Sequence, residues 1–240
     1  VGKNKLARWT ELNTYSNVIQ PVLGDLKIED SGDLKVKDHP VKGNWKSDIF
    51  GNNNPIVLEL GCGRGEYTIG LATRFPEKNF IGVDIKGARL WRGARTSNEK
   101  KMGNAAFLRT RIEFINAFFQ EDEIDEIWIT FPDPHPGTRN ANKRLTSPWY
   151  LNSYRSLIRD NGLIHLKTDN RELYSFTRQV VLKNDLEILF DTDDLYGAGL
   201  PDDILAIKTH YEKIFLAAGL KINFISFSIR KDKTIVYETR

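Results

Sequence analysis

Three stretches of the chain carry residue types that do chemistry. The first reads Glu59-Leu60-Gly61-Cys62-Gly63-Arg64-Gly65-Glu66. Glycines let a backbone turn sharply and come close to a ligand, and a helix after such a turn aims its positive end at that ligand. A dinucleotide fingerprint places a third glycine where Glu66 stands. The acids Glu59 and Glu66 around the loop repel a pyrophosphate and suit an ammonium or sulfonium. Asp84 follows about twenty residues later, the position from which a carboxylate accepts ribose hydroxyls. Together these residues predict an adenosyl ligand without phosphates, S-adenosylmethionine, held by Glu59, Gly61, Gly63, Gly65 and Asp84. Two plainer roles stay open: Asp84 as a surface acid at a strand end, and Glu59 as a structural carboxylate capping loop amides.

The second stretch is Phe131-Pro132-Asp133-Pro134-His135-Pro136, with Arg139, Lys143 and Arg144 after it. Each proline fixes its own φ and restricts its neighbour, so the run is stiff and holds one carboxylate, Asp133, in a set place. The following cations suit phosphates, as positioning contacts rather than base readers. The third set is Leu166-Lys167-Thr168-Asp169-Asn170 together with Thr209-His210-Tyr211-Glu212. Thr209 and Glu212 also fit a capping box, and Thr168-Asp169 fit a cap for a helix starting near Arg171.

The elements that must position these residues alternate. Strands are read at 56–60, 80–85, 105–109, 127–131, 162–167, 186–190 and 222–229, with 234–239 able to pair back. Helices are read from Tyr67 on, where Tyr67, Leu71 and Phe75 share one face, and at 86–102, 147–159, 171–183 and 204–218. Strand–helix repetition implies a mostly parallel sheet covered on both faces, and right-handed crossovers make it doubly wound. The predicted fold is α/β, a Rossmann-like seven-stranded sheet with an antiparallel C-terminal strand. Ligands of such folds sit at the carboxyl ends of strands, where all three stretches fall. Residues 51–240 are read as one domain and 1–50 as a partly ordered N-terminal extension.

Composition narrows the function classes. One cysteine, Cys62, among 240 residues excludes an internal disulfide framework and a cysteine-cluster zinc site. No metal spacing joins the histidines, and no run reaches the ~18 apolar residues of a membrane span. A reducing, cytoplasmic setting is expected. The net charge of +3 conceals segregation. Stretch 86–111 holds eight basic residues and one acid, and 137–159 holds five basic residues and none, while acids gather at 121–126 and 191–203. Segregated cations make faces that hold a polyanion.

The second stretch resembles the tRNA (guanine-N7-)-methyltransferases, whose motif there reads approximately F-[SP]-D-P-[WH]-[PF]-K-x-R-H-x-K-R-R-L. The resemblance extends to the 55–65 loop, to 86–92, to Leu166-Lys167-Thr168-Asp169-Asn170 and to Thr209-x-Tyr211-Glu212. It implies methyl transfer from S-adenosylmethionine to N7 of a tRNA guanine, in the variable loop. Cofactor contacts are implied at Glu59, Gly61, Gly63, Gly65, Asp84 and Asp133, with Arg111 where the family carries an acid near the adenine. Substrate contacts are implied at Asp133, Asp169, Thr209 and Glu212, with Arg139, Lys143 and Arg144 as tRNA-binding cations. The family's lysine is Gly137 here, and its histidine is Asn140. Guanine N7 attacks without deprotonation, so catalysis rests on positioning and on negative charge near the base, which makes Asp133 the catalytic candidate. No metal or membrane is expected, and a monomer or homodimer is expected. A methyltransferase acting on another RNA base and a non-catalytic RNA-binding protein on the same fold are the rival readings.

Overall fold

The structure, a computed structural model, describes residues 3–21, 26–28, 34–199 and 203–237. They belong to two units, Val1–Glu123 and Ile124–Arg240. In the first unit α1 (Lys3–Leu12), β1 (Val18–Ile19) and the hairpin of β2 (Leu26–Ile28) with β3 (Leu34–Val36) come first. Then follow β4 (Ile56–Leu60), α2 (Glu66–Arg74), β5 (Asn79–Val83), α3 (Gly87–Glu99) and β6 (Ala105–Leu108). The sheet order is β1-β6-β5-β4, every pair parallel. Strands β4, β5 and β6 are buried at every residue, which is why their sequences are continuous runs rather than alternating ones.

The N-terminal residues are built into this unit. β1 adds a strand beside β6, and Leu12 and Trp45 are fully buried. Trp45 stacks on Phe119 at 5.2 Å and 7°, and its indole N–H donates to the Phe118 carbonyl at 2.8 Å. Glu123 accepts from the Gly43 amide at 3.0 Å and the Gln120 amide at 2.9 Å. Of the expected extension, residues 1–2, 22–25 and 29–33 lie outside the described residues.

The second unit contains β7 (Ile124–Thr130), α4 (Pro148–Leu157), β8 (Ile158–Thr168) and α5 (Arg171–Lys183). After them come β9 (Ile188–Thr192), α6 (His210–Ala217) and β10 (Asn223–Ile229). The order is β7-β8-β10-β9. β7 and β8 are parallel, and β10 runs antiparallel to both β8 and β9. Pro148 stands in the first turn of α4, where its missing N–H costs nothing. The parallel order with an antiparallel final strand is the predicted architecture. Four strands in each unit's sheet make eight rather than seven, the added one being β1.

Two elements differ from their expectations. The helix read at 204–218 shortens to α6, preceded by a 3-10 turn at Asp203–Ala206. The Lys167 ammonium takes the carbonyls of Leu205 at 2.9 Å and Ile207 at 3.3 Å, which a continuous helix would need for its own ladder. Residues 234–237 form no strand, and 238 and 239 of that expected strand lie outside the described residues. Asn152 instead pairs with both backbone groups of Ile235 (2.8 and 3.0 Å), and Asn184 with both of Val236 (2.8 and 2.9 Å). Two side-chain amides thus do the work of a neighbouring strand.

Trp45→Ala removes a fully enclosed indole and leaves the Phe118 carbonyl without its donor. Urea unfolding is expected to show a loss of about 3–5 kcal/mol; a loss below about 1 kcal/mol contradicts this packing role.

Candidate active site

In the first unit the chain leaves β4 through the glycine loop. The Gly61 and Cys62 amides donate to the Val83 carbonyl at 2.8 and 3.0 Å, which ties the loop to the end of β5. Asp84 bridges two backbones. Its Oδ2 accepts from the Gly63 amide at 2.9 Å and its Oδ1 from the Lys86 amide at 2.6 Å. Gly63 has φ +56, and a Cβ there would meet nothing nearer than the Gly61 carbonyl oxygen at 4.0 Å. The space before the loop is therefore open. Gly65 is required for the opposite reason: with φ +68, a Cβ would lie 2.7 Å from the Phe107 ring and 3.1 Å from the Gly93 Cα.

Glu59 is buried, and its Oε2 accepts from both the amide (2.8 Å) and the hydroxyl of Thr68. The structural role left open for this carboxylate is thus realised, though its anchor is the first turn of α2 rather than the loop amides. Cys62 is buried too, and burial, with Glu59 and Asp84 nearby, pushes its thiol well above the ordinary range. It stays protonated and acts by its size, since a side chain at Gly82 would press on its sulfur at 3.0 Å. Arg111 is exposed, pairs with Glu113 at 2.9 Å and lies over the Phe114 ring at 5.7 Å. Elsewhere in the basic stretch Arg95 pairs with Glu99 at 2.7 Å, and Arg109 reaches Gln20 at 3.1 Å and covers Trp9.

In the second unit the proline-rich loop follows β7. Phe131 (φ +47) and His135 (φ +44) both sit in the left-handed region, which bulky L-residues avoid. Such conformations persist only where the surroundings impose them. The Phe131 amide donates to the Lys167 carbonyl at 2.8 Å. From the other side Arg144, only 4% exposed, donates from Nε to the Pro134 carbonyl (3.2 Å) and from Nε and NH2 to the His135 carbonyl (3.2 Å each). Its NH2 meets Glu172 Oε1 at 2.5 Å, and the same oxygen accepts from the Gly137 amide at 2.9 Å. The guanidinium rests over the Phe176 ring at 4.6 Å. Arg144, expected among the tRNA-binding cations, directs its Nε and Nη2 to the loop carbonyls and Glu172. Asp133 itself is exposed on that loop, as are Arg139 and Lys143 beyond it.

Gly137 stands at φ 81, ψ 153, a region essentially confined to glycine. The departure from the family's lysine is therefore a backbone matter. The helix after β8 is capped by Asn170, whose Oδ1 accepts from the Leu173 amide at 2.8 Å, not by Thr168 or Asp169. Asp169 is half-buried, and burial raises its carboxyl above the usual carboxylate range.

Thr209 and Glu212 do form a capping box on α6. Glu212 is fully buried and meets the Lys167 ammonium at 2.8 Å and the Tyr196 hydroxyl at 2.7 Å. Burial lowers the Lys167 pKa while Glu212 opposes it. Lys167 and Tyr196 were not among the predicted site residues. The available signal was a lysine at the end of an otherwise apolar strand, which must find a buried anion.

Residues 53–225 match a family described as "Putative methyltransferase". The chain is 47% identical to the tRNA (guanine-N(7)-)-methyltransferase of Bacteroides fragilis, covering 97% of this chain and 88% of that protein. It is 49% identical to the enzyme of that name from Porphyromonas gingivalis, covering 91% and 86%. The chain belongs to the tRNA (guanine-N(7)-)-methyltransferase family. Among solved structures, the 16S rRNA methyltransferase KamB shares the fold at TM-score 0.57 and 12% identity, over 77% of this chain and 92% of that one. A 16S rRNA (adenine(1408)-N(1))-methyltransferase from Catenulisporales acidiphilia, solved with its cosubstrate SAM, does so at 0.56 and 14%, over 88% and 99%. At these identities the likeness is one of fold.

Lys167→Ala leaves the Glu212 carboxylate buried without its cation, and about 3–5 kcal/mol of stability is expected to be lost. The double variant Lys167→Met, Glu212→Leu should regain most of it. Guanidinium unfolding of both checks the pair; equal losses in the two refute the uncompensated-charge explanation.

Proposed function

We propose that Asp133 is the catalytic carboxylate of this enzyme, that Glu59, Gly61, Gly63, Gly65 and Asp84 hold the cofactor, and that Asp169 and Thr209 take the guanine. The reaction is transfer of a methyl group from S-adenosylmethionine to N7 of a guanine in tRNA, giving 7-methylguanosine. When bound, S-adenosylmethionine supplies a methyl on a sulfonium, an electrophile that needs no further activation. The residues present suit it. The open face before Gly61 and Gly63 admits a ligand against the backbone. Asp84 accepts two amides and keeps lone pairs for ribose hydroxyls. Glu59 sets the start of α2 and contributes negative charge beneath the loop. Arg111, paired to Glu113 and laid on Phe114, forms wall rather than a polar cofactor contact.

The observation that carries the role of Asp133 is its support: an exposed carboxylate on a loop held in left-handed backbone at both ends. Guanine N7 has a free lone pair, so no base is called for. As positive charge grows on the purine, a fixed carboxylate accepting from the guanine edge stabilises it without reorganising. Asp169, whose proton affinity is raised by burial, and Thr209 orient the base. Glu212 acts behind them by fixing the 203–209 segment. Arg139 and Lys143 take phosphates, and Arg144 shapes the loop. The substrate guanine is assigned to the variable loop, the enzyme to the cytoplasm, and its working form to a metal-free monomer or homodimer. No helix among the described residues is long and apolar enough to cross a membrane.

Asp133→Ala is expected to lower methyl transfer at least about 10²-fold, with the melting curve unchanged. Labelled S-adenosylmethionine, total tRNA and nucleoside analysis for 7-methylguanosine read this out, and near-normal turnover rejects the role. Arg139→Ala with Lys143→Ala should reduce the slope of log affinity for tRNA against log salt by about 1–2 and leave cofactor affinity, by calorimetry, as it was. An unchanged slope removes these two residues from the interface.

A further inference from the structure

Helix α6 is turned inside out. Its buried residue is a carboxylate, Glu212, while Tyr211 and Ile214 on the other side are 45% and 48% exposed. The orientation is imposed. The capping box fixes the first turn, and the Lys167 and Tyr196 contacts to Glu212 fix the rotation of the helix about its axis. The apolar side chains are therefore held in water, where large side chains in a contiguous patch mark an interaction surface.

The patch is aromatic and leads to the loop of Asp133. The Tyr211 ring stacks with Phe215 at 6.4 Å and 25°. Phe215 in turn meets Phe131 at 5.8 Å. Phe131 is the left-handed residue that opens the proline-rich loop, two positions before Asp133. Lys208, just before the helix, is exposed and lies over the Tyr196 ring at 4.8 Å, Lys213 is exposed on the side of α6 turned away from the two rings, and the buried Glu212 is the only acid in the helix. An exposed ring backed by a second ring, beside the loop of Asp133 and on a helix with no surface acid, offers an unpaired nucleic-acid strand a π-face for a base.

We infer that Tyr211, backed by Phe215, forms a stacking platform for an unpaired tRNA base beside the methylated guanine. Tyr211 stands two ring contacts away from Phe131, so the base it takes is a neighbour of the guanine assigned to Asp133, not that guanine. The inference rests on the tRNA methyltransferase reading. It adds a second anchor that holds the strand while the target base leaves its stack, a step that costs a few kcal/mol.

The test is tRNA binding by the full chain, measured by filter retention for Tyr211→Ala, Tyr211→Leu and Tyr211→Phe. Loss of the ring is expected to weaken binding about five- to 150-fold, equally in Ala and Leu, while Tyr211→Phe stays near wild type. On a tRNA made abasic next to the target guanine, Tyr211→Leu should bring no further loss. Wild-type affinity in Tyr211→Leu, equal losses in Phe and Leu, or an undiminished loss on the abasic tRNA overturns the platform. So does a sedimentation profile in which Tyr211→Leu splits a dimer, which assigns the face to a second copy of the chain. A wild-type chain that binds tRNA but forms no 7-methylguanosine sinks the proposed activity, while the platform is still judged on binding. Normal 7-methylguanosine formation with equal binding by every Tyr211 variant sinks the platform alone.

Discussion

A guanidinium with almost no exposure must place its N–H groups on acceptors within the protein. Arg144 places them on the Pro134 and His135 carbonyls and on Glu172. Much follows from this. The carbonyls are turned inward, so the backbone between Phe131 and His135 must arch, and both residues take positive φ. An arch fixed from within presents Asp133 outward. Glu172 closes the structure by accepting from Gly137 as well, so the first turn of α5 is pinned to the far end of the loop. The Gly137 amide and the Arg144 guanidinium also hold the Glu172 carboxyl below the usual range, so it remains an acceptor through ordinary pH.

The same economy appears around Glu212. An ion pair with both side chains fully buried contributes little net stability, because desolvation offsets the attraction. What it does supply is geometry. Lys167 takes the carbonyls of Leu205 and Ile207, Glu212 takes the hydroxyl of Tyr196, and three separate stretches of chain acquire fixed positions around the end of β8.

How much of this was legible in the sequence divides along physical lines. Continuous apolar runs at 56–60 and 105–109 gave strands to within a residue, because burial on both faces leaves no other composition. The turns after β4 and β7 were legible because backbone constraint is written in glycine and proline. The capping box at Thr209 was readable as one of two roles. What was not readable is partnership at long range. Nothing in the spacing of Arg144 distinguishes a cation bound to its own loop from one reaching for phosphate, since Glu172 lies 28 residues away. Nor did the pattern at 204–218, apolar enough for one helix, reveal that Lys167 would draw off two of its carbonyls. β1 was missed because a two-residue strand leaves no periodicity to detect.

Gly137 carries a consequence felt at a distance. Its backbone angles, φ 81 and ψ 153, belong to a conformation that side chains forbid, while its amide is one of the ties to Glu172. A side chain placed here would have to draw the amide off Glu172 and relax the arch, so Asp133 would be held less firmly with no change at Asp133 itself. The aim of the carboxylate is thus set four residues away, by a backbone conformation rather than by any side chain it touches.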